Sequence, residues 1–173
     1  MDKGIQNSII RFFLLWMLQV FFLKQLYWGW SGEVYLQIFI YPLFVLLLPF
    51  RTPRTLVLLM AFALGLMVDW WYESMGMHAG ALVFTAFMRA IVLRILTPRE
   101  GYGIKSHPTK HSLGPTWFFQ YAASLMALHL FFYYALEAFT FVYFTTIIFK
   151  LFFSWIASML VVMLSIYVFN PEA

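Results

Sequence analysis

A chain of 173 residues that is 64% hydrophobic, 10% charged and has a mean hydropathy of +0.83 lies far outside the range of a soluble globular domain. Its apolar stretches are too long for transmembrane strands and show no strict alternation, so the expected fold class is an all-α integral membrane protein in a single polytopic domain. The net charge of +4 does not point to nucleic acid, because the basic residues stand at the ends of apolar stretches, and the absence of cysteine excludes disulfides and thiolate metal sites.

Six helices are expected in chain order. The first covers 5–28, with Arg11 and Lys24 placed to snorkel toward opposite interfaces. Bulky Lys24, Gln25, Tyr27 and Trp28 follow the apolar run where a signal peptide would carry small residues, so this helix is expected to be retained. The second covers 34–48 and carries Pro42, which should kink it. A basic turn, Pro49 to Arg54, leads into a central hairpin of helices over 55–72 and 78–96, each long enough for ~30 Å of hydrocarbon. A polar loop over 97–115 holds Arg99, Lys105, His107, Lys110, His111 and three prolines. Helices over 116–137 and 141–168 complete the chain.

Lys3, Arg11, Arg51, Arg54, Arg94, Arg99, Lys105 and Lys110 fall toward one side of this layout. Glu33, Asp69, Glu73 and Glu137 fall on the other with Lys24 as their basic companion. That asymmetry is the positive-inside pattern, and it predicts both termini and the 97–115 loop in the cytoplasm. Trp28, Trp30, Trp70, Trp71 and Tyr72 gather on the predicted outer side, as interfacial aromatics do.

Ala61, Gly65 and Asp69 recur at spacings of four, so two small residues and a carboxylate share one helix face that another helix can approach closely. Asp69 and Glu137 sit near helix C-termini, where the dipole disfavours a carboxylate, so a cation is expected nearby, with Lys24 and Arg89 as candidates. Arg89 and Lys150 lie near mid-membrane with no acid expected at their depth, which leaves snorkelling, a lipid phosphate, a partner's carboxylate or a polar network reaching Asp69. Gly76 and His78 follow in the turn, where His78 is placed to cap the next helix. His129 reads as a hydrogen-bonded core histidine. His107 and His111 lie in a loop without a nearby acid, and no metal, cofactor or catalytic constellation is expected. The dense aromatics of the last two helices read as interhelical and lipid-facing packing rather than a ligand box.

Leu64, Gly65, Leu66, Met67, Val68 and Asp69, followed by Gly76, Met77, His78 and Ala79, resemble the signature region of the bacterial rod shape-determining MreD family. The turn Leu48-Pro49-Phe50-Arg51-Thr52-Pro53-Arg54 and the run from Leu93 to Gly101 resemble its Bacteroidota variant. One departure is Trp70, Trp71, Tyr72 and Glu73, which stand where many relatives carry small, glycine-rich residues. The resemblance implies a non-enzymatic scaffold of the bacterial inner membrane that binds MreC. Through MreC it would support RodA, a class B penicillin-binding transpeptidase and MreB in lateral peptidoglycan synthesis and cell shape, surrounded by membrane lipids and without nucleic acid. It also implies the six-helix fold of the S components of energy-coupling-factor transporters, whose small-molecule uptake role is the alternative reading. Against that alternative, Phe12, Trp16 and Val20 stand where many S components carry alanines four apart. On the scaffold reading, Ala61, Gly65, Asp69 and Arg89 are expected to form a groove for a partner helix, and Gly65→Leu to block assembly while leaving the bundle folded.

Overall fold

The computed structural model describes residues 3–30, 33–99, 101–102, 107–139 and 144–169. The chain is an α-helical membrane protein. Helix α1, Lys3–Met17, continues through a π turn, Leu18–Phe22, and a 3-10 turn, Leu23–Gln25, into a β-hairpin of β1, Tyr27–Trp30, and β2, Glu33–Gln37. There follow α2, Leu43–Leu47; α3, Arg54–Tyr72; α4, Met77–Ile95; α5, Lys110–Leu113; α6, Pro115–Ala138; and α7, Phe144–Phe169. Helices α3, α4, α6 and α7 match the expected spans to within a residue or so where the residues are described; 141–143, the expected start of the last helix, lie outside them. Among the described residues, four stretches are long and apolar enough to cross a membrane: Gln6–Gln25, Arg54–Tyr72, Met77–Ile95 and Phe144–Phe169.

Two expectations fail at the start of the chain. The first helix ends at Gln25 and not at 28, because Tyr27–Trp30 pairs antiparallel with Glu33–Gln37, Trp28 facing Leu36 and Gly29 facing Val34 across a bulge. The second expected helix, 34–48, is a strand, a run without regular secondary structure over 38–40 and the short helix α2. Pro42 is the N-cap of α2 and not a kink within a longer helix.

A non-helical backbone inside a membrane bundle needs partners for its amides, and the neighbouring helices supply them. Ser154 Oγ of α7 accepts from Gln37 N at 3.0 Å, Ser158 Oγ from Phe39 N at 2.9 Å, and Gln19 Oε1 from Ile40 N at 2.8 Å. Gln19 Nε2 in turn donates to Ile38 O at 3.0 Å. The π turn holds Gln19 fully buried, directed at this segment. Residues 39–48 are buried throughout and form the centre of the core with Leu64, Val68, Leu82, Tyr121, Leu125 and Val162.

In the bundle α3 packs on α4, α4 on α6 and α6 on α7, while β2 lies against α7 and α1 rests on α2 and α3. One end, here called distal, gathers the β-hairpin, the α3–α4 turn and the ends of α6 and α7 that face each other. Lys24 Nζ donates there to Trp71 O at 2.5 Å, and Lys150 Nζ to Glu137 Oε1 at 3.2 Å. The proximal end joins the α2–α3 turn to the α4–α6 connection: Phe50 stacks on Tyr102 at 4.5 Å and Trp117 Nε1 donates to Leu96 O at 2.8 Å. Ile10, Phe13, Leu59, Leu160 and Leu164 are at least half exposed, as residues directed at hydrocarbon are in a membrane bundle.

Candidate functional site

The α3–α4 turn is built from Asp69 outward. Helix α3 ends at Tyr72, Glu73 adopts a left-handed conformation (φ 53°), and Gly76 does the same (φ 83°) as N-cap of α4. This brings the first amides of α4 onto the carboxylate of the preceding helix. Asp69 Oδ1 accepts from Ser74 Oγ at 2.6 Å, His78 N at 3.0 Å and His78 Nδ1 at 3.0 Å; Oδ2 accepts from Ala79 N at 2.8 Å. Negative charge at a helix N-terminus is electrostatically favourable, and bonds to a carboxylate are among the stronger ones. One turn deeper, an added Cβ at Gly65 would lie 2.3 Å from Ala79 Cα and 2.8 Å from Ala79 N, so only glycine lets the helices approach this closely.

Behind this junction lies a packed cluster of aromatic rings. The fully buried ring of His78 is surrounded by Tyr72, Tyr133, Tyr41 and Phe39, with centroids at 4.6, 4.8, 5.7 and 6.1 Å. A carboxylate only accepts, so the Nδ1 facing Asp69 carries a proton. His78 Nε2 is buried without a hydrogen-bond partner among the described residues. Beside it His129, also fully buried, bridges Tyr41 Oη through Nε2 at 2.8 Å and Thr85 Oγ1 through Nδ1 at 2.8 Å. Gln19 Nε2 donates to Tyr72 Oη at 2.7 Å, tying the aromatic cluster to the segment over 38–40 that Gln19 also pairs with.

Arg89 stands apart from this cluster, toward the proximal end. Its Nε donates to Tyr121 Oη at 3.0 Å, and its Nη2 to Leu48 O and, at 3.5 Å, to Pro49 O. It therefore caps the C-terminal carbonyls of α2, where a cation is favourable. The expected network from Arg89 to Asp69 does not form: Asp69 is occupied by α4's own N-terminus and Arg89 by α2's C-terminus. Glu137 of α6 pairs with Lys150 of α7, which corrects the expectation that Lys150 has no acid at its depth. Lys24 serves the Trp71 carbonyl and lies 5.2 Å from the Tyr72 ring centroid.

The expected groove is also corrected. Ala61, Gly65 and Asp69 do share one face, but that face is buried against this chain's own elements, α4 at Gly65 and Asp69. Gly65→Leu would consequently break the α3–α4 hairpin itself, not only a partner contact. Gly76 serves through its positive φ, and His78 contributes both amide and ring to Asp69.

Several contributors escape sequence reasoning. Ser154 and Ser158, four apart in the most apolar helix, and Gln19 in the first apolar run are polar residues at one-face spacing that signal a buried backbone needing partners. Tyr41, Ser74, Thr85 and Tyr121 carry no such signal. Comparison of the chain with protein-family models, curated proteins and solved structures finds no match.

Proposed function

We propose that the chain is a non-catalytic, MreD-type scaffold of the bacterial inner membrane that binds MreC and supports lateral peptidoglycan synthesis with RodA, its class B transpeptidase and MreB. The observation that carries this reading is convergence. The residues on which the resemblance rests, Gly65, Asp69, Gly76, His78 and Ala79, meet at a single junction and lock one helix hairpin in place. A motif spent on fixing a turn suits a protein whose task is to hold a shape for partners. The distal surface beside it is rich in exposed apolar side chains, Trp70, Met75, Trp28 and Tyr27, suited to a periplasmic domain seated at the membrane surface. In this reading the segment over 33–48 supplies the second of six crossings, and both termini are cytoplasmic.

The buried His78 Nε2, without a partner among the described residues and enclosed by aromatic rings, favours the second reading, a substrate-binding subunit for small-molecule uptake, since such an atom could meet a polar group of a ligand. Affinity purification of the tagged protein from its own membranes in mild detergent, with mass spectrometry of what accompanies it, separates the two. Recovery of MreC and wall-synthesis enzymes is the expected result. Recovery of a transporter membrane subunit with its ATPases would overturn it in favour of uptake.

A further inference from the structure

The β-hairpin stands upright at the distal end. Gln37 N donates to Ser154 and Phe39 N to Ser158, so the chain advances two residues as α7 advances four, and β2 runs alongside α7 with its tip toward the distal end of that helix. Its antiparallel neighbour β1 starts beside Lys24, where that side chain meets the Trp71 carbonyl, and runs toward the same tip.

The two strands differ in what they leave open. β2 is held on one side by β1 and on the other by Ser154 of α7, which meets both Gln37 N and the Tyr35 carbonyl. Because Gln37 directs its amide to α7, its partner Tyr27 stands in a pair without mutual bonds, and the N–H and C=O groups of Tyr27 and Gly29 point to the outer edge of β1. Among the described residues the sheet has two strands, and no backbone bond reaches that edge. Edges meant to stay single carry lysine, proline or a bulge. β1 is Tyr-Trp-Gly-Trp, and the extra residue of the bulge, Tyr35, lies in β2. Tyr27, Trp28 and Gly29 are exposed.

A row of alternating donors and acceptors at strand spacing matches an extended polypeptide, which a lipid head group does not supply. A second copy does not fit. Two copies in one bilayer share an orientation, so a two-fold along the membrane normal sets their β1 strands parallel with like residues level. In a parallel ladder the residue opposite a bonding one turns its own amide away, so that arrangement forms no bonds. An edge that starts at the membrane surface and runs along the normal suits a chain leaving the bilayer.

We propose that the outer edge of β1 takes a third strand from a membrane-anchored partner: an extended juxtamembrane segment with apolar residues at alternate positions, one of them beside Trp28 and Leu36. This rests on the scaffold reading and adds to it a mode of docking.

The test is hydrogen exchange, resolved to single amides by mass spectrometry, on the full chain alone in mild detergent and in the affinity-purified complex. The Tyr27 and Gly29 amides are expected to exchange at least tenfold more slowly in the complex. Gly29, whose φ is not positive, accepts proline on an open edge, so Gly29→Pro should keep the helical circular dichroism and reduce recovery of MreC several-fold. Recovery of MreC with both amides exchanging as in the free chain would overturn the docking mode and leave the scaffold reading standing. Protection by a different membrane-anchored protein, with MreC absent, would support the edge and overturn the scaffold reading. Recovery of no membrane-anchored partner would overturn both. A photo-crosslink from benzoylphenylalanine in place of Trp28 to a second copy would overturn the proposed occupant.

Discussion

At the scale of single residues, Asp69 separates charge from shape. Asparagine at this position keeps the volume but sets an NH2 group among donors: Ser74 Oγ–H, the His78 ring and the amides of His78 and Ala79. Asp69→Asn is therefore expected to destabilise the protein by about 1–3 kcal/mol, while Ser74→Ala, which removes one donor, costs about 0.5–1.5 kcal/mol. Thermal unfolding in detergent, followed by circular dichroism, checks the order; an Asp69→Asn protein that melts with the wild type would contradict the pinning role. At the other end of α4, Arg89→Lys keeps the charge but cannot reproduce a planar fork spread between Tyr121 Oη and the Leu48 carbonyl. It should melt below the wild type despite unchanged charge. The need of Asp69 for a partner was legible from its place near a helix C-terminus. The partner was not, since it depends on left-handed turns at Glu73 and Gly76 that fold the next helix back onto the carboxylate.

At the scale of elements, the α3–α4 hairpin and the segment over 33–48 make opposite demands on packing. Gly65 meets backbone atoms of Ala79, so relief by trimming the neighbouring side chain is unavailable. Gly65→Ala is expected to cost about 1–3 kcal/mol through overpacking, and Ala79→Gly should not rescue it. Gly76→Ala meets open space and bears only the left-handed penalty, about 1–2 kcal/mol, so the hairpin should tolerate it better. A rescue by Ala79→Gly in the same melting assay would show that side-chain contact governs the approach. The segment over 33–48 depends instead on hydroxyls. Ser158→Ala leaves the Phe39 amide without an acceptor, and hydrogen exchange at Phe39 should accelerate by one to two orders of magnitude, about 1–3 kcal/mol of lost protection. The long helices were legible because apolar runs bounded by basic turns have few alternatives. A helix is expected over this segment because its hydrophobic content matches a membrane helix, although Val34, Tyr35, Ile38, Phe39, Ile40 and Tyr41 are strand formers and Ser31 and Gly32 before them are turn-type residues. Propensity lost to hydropathy in that reading, whereas in the fold the serines of α7 let propensity prevail.

At the scale of the molecule, the two ends differ in charge, and the chain offers a direct way to test their sides. It contains no cysteine, so single replacements report position without background. Glu73→Cys at the distal turn is expected to react with a membrane-impermeant maleimide from outside the cytoplasmic membrane. Arg51→Cys and Ser112→Cys, both exposed at the proximal end, should react only after the membrane is opened. Labelling of all three from one side would rule out the crossing pattern. The charge asymmetry behind this test is legible in the sequence. The way the bundle closes is not, because the contacts that close it join residues far apart in the chain.

Gln37 and Phe39 obtain their amide partners from residues 117 and 119 positions later. During synthesis the segment over 33–48 therefore emerges long before the serines that pair with its amides. Until α7 arrives, its amides must be sheltered by water, by the insertion machinery or by a temporary helical form that later unwinds. The native pairing therefore waits for α7, which carries both serines. A protein truncated before Phe144 should insert α3 and α4 yet be cleared rapidly by membrane proteases, and a pulse-chase of that truncation alongside the full chain would show it.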